Sequence, residues 1–394
     1  MFRDAAVRAE TVPVISTPML PTRFISSTPA RSREQRLATF LDRTDPLADS
    51  AIEALVPLPR PEQEALVTRL VSTSPGRLPP ALTALHEWLR ETPVWFDEAR
   101  AEAGGEVLLR AGLLSGLVLG FKSLVLGYCS PAGNKPLVFS GRLTSDVNTR
   151  LAETARFVEA VSEPGGLRFG APGFVATVRV RLIHARVRHA LQGSPRWKPH
   201  EWGAPINQYD MAGTVLLFSS ILLDGLRQLG ARVTDEEEDA TLHQWRFVGR
   251  LMGVDDELLS TTAHEAKSLW AMLEKTQGLP DVDSRRLTNA MINEGTDRGA
   301  PTAAIDFGAA LCRHLIGPRY ADALELPRSS WDLAPRLLSG VVRRMDDVVR
   351  HVPGAKLQAL RLGEKYWRRS VSLTFGDAEV PFELPAHPLR PHGR

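Results

Sequence analysis

The sequence has little cysteine and lacks the local motifs of most enzyme classes. Its 394 residues include two cysteines, Cys129 and Cys312, which lie far apart and in no CxxC pair. This excludes a disulfide framework and a cysteine zinc site, and it is compatible with a reducing cytoplasm. The patterns GxSxG, GxxxxGK[ST], HExxH and GxGxxG are also absent. We therefore expect no nucleophile elbow, phosphate loop, zincin helix or dinucleotide fingerprint.

The chain has no strong excess of either charge. Its formal net charge is +2, so the overall electrostatics does not predict a nucleic-acid partner. The first twenty residues contain no uninterrupted apolar segment and no twin-arginine pair. We therefore expect no export signal and a cytoplasmic location.

Strand patterns are scarce, whereas helical periodicity is frequent. No run alternates for long, and no hairpin signal separates two such runs. About a dozen segments between residues 31 and 352 have helical spacing, the most apolar covering 211–230, and they predict an all-α fold. We expect a flexible arm over 1–30, one helical domain over 31–375 and an irregular tail over 376–394.

One apolar stretch, residues 111–128, is long enough to be considered as a membrane span. Lys122 lies inside it, and Gly116, Gly120 and Gly127 dilute it. A charge near the centre of a span costs roughly 3 kcal/mol on insertion scales. We therefore favour a buried helix with close helix contacts at the glycines, and leave open a membrane contact that does not span.

The segment TVRVRLIHARVRHAL (177–191) places a histidine on the apolar side of a predicted helix. Val180 and Val187 share a face with His184, because four residues advance a helix by only about 40° beyond a full turn. We therefore expect His184 to face the core. The imidazole either packs there or holds haem iron as an axial ligand, with Arg188 one turn later near a haem propionate.

A second pattern is TRLAETARFVEAV (149–161), in which Arg150 and Thr154 are one turn apart. In one interpretation Arg150 is a surface residue paired with Glu153 or an upstream acid. In the other, the two residues form the distal side of a haem site. There the arginine would stabilise dioxygen or peroxide, and the hydroxyl would relay a proton.

Five segments between residues 130 and 330 resemble, in order, the MpaB-like oxygenases, whose best-known members are the latex-clearing proteins (rubber oxygenases). No one of them is decisive, but their common order is specific. The segments are SGRLTSDVNTRLAETARFV (140–158), RLIHARVR (181–188), GAPINQYDMAGTVLLFS (203–219), HQWRFVGRLMGVDDELL (243–259) and CRHLIGPRYADALELP (312–327).

The resemblance implies an all-helical fold around a globin-like core and a non-covalently bound haem b. It makes His184 the proximal iron ligand and puts Arg150 and Thr154 on the distal side, where dioxygen or peroxide is the oxidant. It also keeps Arg188 near the haem pocket. Arg313 resembles a further pocket residue.

The sequence departs from the rubber-cleaving members at two positions. A lysine precedes the distal threonine in those proteins, whereas Glu153 stands here and becomes the candidate acid or base. They also use an upstream glutamate as a base, but Asp146 is the only acid between Glu106 and Glu153. We therefore expect no cleavage of solid polyisoprene. The expected reaction is oxygen insertion, or oxidative C=C cleavage, on an apolar small molecule.

Two other functions fit the same residues. The protein could be a non-catalytic haem sensor or carrier, because the family lysine and glutamate are missing. It could also be a helical scaffold without haem, in which His184 is a core residue. The resemblance further allows an external electron donor as a partner of the oxygenase.

Overall fold

The computed structural model describes residues 32–139, 147–293 and 301–375. Within these ranges the chain is helical and contains no strand, which confirms the all-α prediction. The α-helices are α1 (Ser32–Ala38), α2 (Pro46–Leu55), α3 (Arg60–Leu70), α4 (Pro80–Arg90), α5 (Glu98–Ala111), α6 (Leu113–Val118), α7 (Val125–Tyr128), α8 (Lys135–Phe139), α9 (Val147–Ser162), α10 (Pro172–Gln192), α11 (Pro199–Trp202), α12 (Gln208–Phe218), α13 (Ser220–Gln228), α14 (Asp235–Leu251), α15 (Ala263–Thr276), α16 (Val282–Asn293), α17 (Thr302–Ala323), α18 (Ala334–His351) and α19 (Ala355–Phe375). The expected arm over 1–30 and tail over 376–394 lie outside the described residues.

The longest helix of the central region is α10, which lies between α2 and α9 and also contacts α14. It begins with Pro172, whose missing N–H costs nothing in a first helical turn. Leu182 and Ala185 have no exposed surface and anchor the helix in the main apolar cluster. The neighbouring helices therefore hold α10 by its buried face.

Two adjacent glycines bring α5 into close contact with α14 and α9. A Cβ on Gly104 would lie 2.4 Å from the carbonyl oxygen of Ala240, and one on Gly105 would lie 2.4 Å from that of Ser162. In the sequence, two short amphipathic helical patterns end at Gly104–Gly105 and predict a helix end there, but α5 continues through the pair. That prediction was wrong because the glycines permit backbone contact between helices and do not end the helix.

The apolar stretch at 111–128 folds as α6, a π-helix (Leu119–Leu124) and α7. The ammonium group of Lys122 is buried, and it donates hydrogen bonds to the carboxylate of Asp224 and, over 2.9 Å, to the side-chain oxygen of Gln228. Both partners belong to α13. The charge within the apolar stretch is thus neutralised by a neighbouring helix, as a buried cation requires.

The glycines of this stretch behave differently from one another. A Cβ on Gly116 would collide with the hydroxyl of Tyr366, and one on Gly127 would lie 3.1 Å from a methyl group of Leu217. Among the described residues nothing approaches within 4 Å of the Cβ position of Gly120. Close contact is therefore confirmed at two of the three glycines and wrong at the third.

The apolar run predicted as one helix over residues 211–230 is broken at Ser219, where the backbone leaves helical geometry (φ −114°, ψ −95°). The two helices it separates, α12 and α13, form together the one described stretch, Gln208–Gln228, that is long and apolar enough to cross a membrane. Most of the stretch is buried inside the protein. α5 and the helices after it, Leu113–Tyr128, would pass the same test only as a single span bent by 89°.

The helix α19 was not predicted. Gly363 brings it into backbone contact with the end of α5, since a Cβ there would overlap the carbonyl oxygen of Leu109. Trp367 and Val371 on the same helix are buried. The dense lysines and arginines of residues 356–369 hide this apolar side from periodicity analysis.

Candidate functional site

The face of α10 that carries the candidate histidine is partly open. Leu182 and Ala185, on the other side of the helix, are fully buried. The helix face predicted to point toward the core is thus packed against the main apolar cluster but is not completely covered. Four residues of the candidate face are only half-buried: Val180, Ile183, His184 and Val187.

The imidazole of His184 is held in its neutral form. Burial, assisted by the positive charge of Arg188, lowers the pKa of His184 to about 4, and the carboxylate of Asp45 opposes the shift. The Nδ1 atom is buried and has no hydrogen-bond partner among the described residues. A neutral imidazole on a partly open apolar face is the form of histidine that ligates a metal.

A buried ion pair fixes α10 on the same side of the helix as His184. Arg181 donates from Nε and Nη2 to the two carboxylate oxygens of Asp45, at 2.6 and 2.8 Å, and its guanidinium lies 4.5 Å from the ring centre of Trp88. Gly253 has a φ of +78°, and a Cβ there would lie 2.2 Å from the Asp45 carboxylate. The glycine therefore provides the space in which this two-pronged contact forms.

Arg188 is also committed to protein partners. Its Nε donates to Oδ1 of Asp49 over 2.7 Å, and its Nη1 donates to the carbonyl oxygen of Ile206 over 2.8 Å. Ile206 has a left-handed φ of 49°, which is costly for a β-branched residue and directs this backbone at the arginine. Arg188 thus lies near His184, but it donates its hydrogen bonds to α2 and to the segment before α12.

The candidate distal residues lie on α9, which packs directly against α10. The hydroxyl of Thr154 is exposed and donates to the carbonyl oxygen of Arg150 over 2.8 Å. The side chain of Arg150 reaches the buried hydroxyl of Tyr128. Burial raises the pKa of Tyr128, and the hydrogen bond and charge of Arg150 partly offset this rise. The structure therefore connects the arginine to a buried phenol.

The two candidate acids are placed differently. Glu153 is half-buried on α9, between the two residues of the distal pair in the sequence. Asp146 lies outside the described residues. Glu153 is thus the candidate acid whose position the structure describes.

Arg313 lies on α17 and stabilises the end of that helix. Its Nη1 donates to the carbonyl oxygen of Leu326 over 2.7 Å, and its Nη2 to Oδ1 of Asp322 over 2.7 Å. The helix is kinked between these residues at Gly317, where φ is +80°. Both partners lie at the end of α17 or just after it, so these contacts indicate a structural role for Arg313.

The two cysteines lie in the same apolar cluster as free thiols. Burial raises the pKa of Cys129 to about 12 and raises that of Cys312 as well. Reactivity of a cysteine requires the thiolate. These residues are therefore packing residues at neutral pH.

Two functionally placed residues were missed by sequence analysis. Tyr128 contacts the candidate distal arginine, and its only signal was a hydroxyl at the end of an apolar stretch. Asp45 contacts Arg181 and influences the candidate ligand. Its only signal in the sequence was an Asp-Pro pair, which is typical of a helix cap, and Asp45 also provides that cap.

The described site residues suit a metal cofactor that itself supplies most of the ligands of its metal ion. Among the described residues no group of three or more His, Cys, Asp or Glu side chains could hold a bare metal ion. Haem iron needs only one or two axial ligands from the protein, and a neutral imidazole is the commonest. The residues present therefore fit haem, with His184 as the axial ligand.

Comparisons with known proteins identify the family and the fold of the chain. The family described as "ER-bound oxygenase mpaB/B'/Rubber oxygenase, catalytic domain" matches residues 106–351. A rubber oxygenase from Streptomyces sp. (strain K30) is 29% identical over 197 residues, which is 50% of this chain and 48% of that protein. The matched part thus spans about half the length of that relative. A solved latex-clearing protein in the closed state superposes with a TM-score of 0.71 at 23% identity, over 88% of this chain and 94% of that one.

Proposed function

Since the chain belongs to the catalytic-domain family of the ER-bound mpaB and rubber oxygenases, we propose that it is a haem b-dependent oxygenase acting on an apolar small molecule. The observation that carries this proposal is the state of His184. Its imidazole is neutral, its Nδ1 is unpartnered among the described residues, and it stands on a half-open apolar face.

In the proposed mechanism His184 would hold the haem iron from one side. The bound haem would supply the redox chemistry that activates dioxygen or peroxide. Arg188 would act through its charge, which keeps the imidazole unprotonated. Its guanidinium stays with Asp49 and is not needed as a hydrogen-bond donor to the cofactor.

On the other side, Arg150 would stabilise the negative charge that develops on the oxidant, because a fixed cation in an apolar site acts strongly on such charge. Tyr128 would orient the guanidinium. Thr154 would hold or pass a proton at its hydroxyl, which already donates to a backbone carbonyl and keeps acceptor capacity. Glu153 would exchange that proton with solvent, since it is half-buried beside both.

The substrate is proposed to be apolar because the open face of α10 presents aliphatic side chains, Val180, Ile183 and Val187. The name of the similar Streptomyces protein, a rubber oxygenase, points the same way. Glu153 in place of the lysine of rubber-cleaving members favours a small molecule over solid polyisoprene. The proposed products arise by oxygen insertion or oxidative C=C cleavage.

The first test is the absorption spectrum of the protein produced with ample haem. We expect a Soret band and a b-type pyridine haemochrome, both lost in His184→Ala. His189→Ala is the matched control, because His189 is exposed on the same helix and should leave the spectrum unchanged. A His184→Ala protein with full haem content would contradict the ligand assignment. A colourless wild type would contradict the haem itself.

A further inference from the structure

The helix α18 carries a line of exposed apolar side chains. Leu337 is 73% exposed and Met345 63% exposed. The spacing of four, four, three and four residues puts the line on a single helix face, about 22 Å long at 1.5 Å per residue. Its members are Leu337, Val341, Met345, Val348 and Val352.

This line continues beyond α18 at both ends. The exposed Trp331 precedes the helix, and the exposed Leu357 and Leu362 follow it on α19. Another exposed leucine, Leu113, is next to Gly112, whose backbone touches Gly363 of α19. Such an accumulation of exposed large apolar residues marks an interaction surface.

The same region is strongly basic. Residues 334–375 contain nine Lys or Arg and three Asp or Glu, whereas the whole chain has a net charge of only +2. Arg344, beside the line on α18, and Arg361, one turn after Leu357 on α19, are exposed and, in the described part of the chain, form no ion pair. Asp346 and Asp347, in contrast, are engaged by arginines of the protein. The charge that remains at the surface is therefore positive.

We propose that α18 and the start of α19, residues 334–362, form a surface that docks on an anionic lipid bilayer. The apolar line would enter the interfacial region, and the flanking arginines would contact lipid phosphates. A single helix with an apolar line and basic flanks is the composition of interfacial helices. A second copy of the chain fits poorly, because Arg344 and Arg361 of two copies would face each other. An acidic protein would match the arginines but would leave the apolar line unexplained.

The test is sedimentation of the full chain with vesicles, a measurement that does not require haem. We expect binding to phosphatidylcholine vesicles containing about 30% phosphatidylglycerol and none to phosphatidylcholine alone. Val341→Ser with Met345→Ser, and separately Arg344→Gln with Arg361→Gln, should each weaken binding about tenfold. Leu279→Ser is the matched control, since Leu279 is equally exposed outside this surface. Circular dichroism checks that each variant is folded.

Two results would overturn the proposal. The first is a wild type that does not sediment with the anionic vesicles, or one that the two double variants match. The second is a wild-type dimer in light scattering that the serine variant disperses, which would assign the face to a second copy. Failure of haem binding would leave this proposal intact, because vesicle binding is measured independently of the cofactor.

Discussion

Single residues set the chemistry of the candidate site through charge and burial. His184 stays neutral because its surroundings are apolar and Arg188 adds a positive charge. Arg150 is oriented by its hydrogen bond to a buried phenol, that of Tyr128. A neutral ligand and a fixed cation on two adjacent helices are the two elements that an oxidant needs on opposite sides of a haem.

Replacing Arg150 by Gln should leave haem binding intact and destabilise bound dioxygen. Loss of one charge-assisted hydrogen bond costs about 1.5 kcal/mol, so the reduced haem protein should autoxidise roughly tenfold faster in air. The decay of its absorption spectrum measures this rate. Tyr128→Phe keeps the guanidinium and should have a smaller effect. Equal autoxidation rates in wild type and Arg150→Gln would contradict the assignment of Arg150 to the distal side.

Sequence analysis found His184 because one helical face is a local property. It missed the contact between Arg181 and Asp45, which are 136 residues apart. It also missed the link between Arg150 and Tyr128, which belong to different helices. Pairings of this kind depend on how the helices pack, and no local pattern contains that information.

Whole helices in this protein meet at glycines as well as at apolar side chains. α5 contacts α14 at Gly104 and α9 at Gly105. A glycine pair predicts a helix end when only propensity is considered. In the folded protein the two glycines instead lie inside α5, because close backbone contact between helices needs residues without a Cβ. α19 escaped prediction for a different reason, since lysines and arginines are interspersed among its apolar residues.

Gly104→Ala should destabilise the protein by about 3 kcal/mol, because the new Cβ would meet the Ala240 backbone, which cannot yield as a side chain would. Gly340→Ala is the matched control within a helix. Among the described residues nothing lies within 4 Å of its Cβ position, so stability should rise by up to about 1 kcal/mol. Urea unfolding measures both changes. A neutral Gly104→Ala would show that α5 and α14 are not in backbone contact.

At the scale of the whole molecule, two groups with shifted pKa values change the stability of the protein with pH in opposite directions. The pKa of His184 falls to about 4 in the folded protein, so the unfolded chain binds its proton more readily. Its contribution to stability is present above pH 6.5 and is lost as the pH falls toward 4. Burial, assisted by Glu163, raises the pKa of Glu159 to about 7. That contribution has the opposite sign and is lost as the pH rises through 7.

The haem-free protein should therefore lose stability between pH 6.5 and 4 by up to about 3 kcal/mol through His184. Because the Glu159 contribution offsets this loss over nearly the same pH range, each variant should reveal the slope of the other group. His184→Gln should become less stable as the pH rises from 4.5 to 7, and Glu159→Gln should become less stable as the pH falls from 6.5 to 4. Urea unfolding of the haem-free proteins at pH 5 and pH 7.5 compares the variants with the wild type. A His184→Gln protein with the pH dependence of the wild type would mean that the imidazole is not desolvated.

The ion pairs of α10 have a consequence for how the proposed haem would enter. Arg181 and Arg188, which lie on the same side of the helix as His184, fix α10 to Asp45 and Asp49 beside its half-open face. The helix therefore keeps its orientation whether or not that face is covered. The binding site would already be formed before haem binds, so association would cost little conformational entropy. Uptake should then proceed as one bimolecular phase, with no slower folding phase after it.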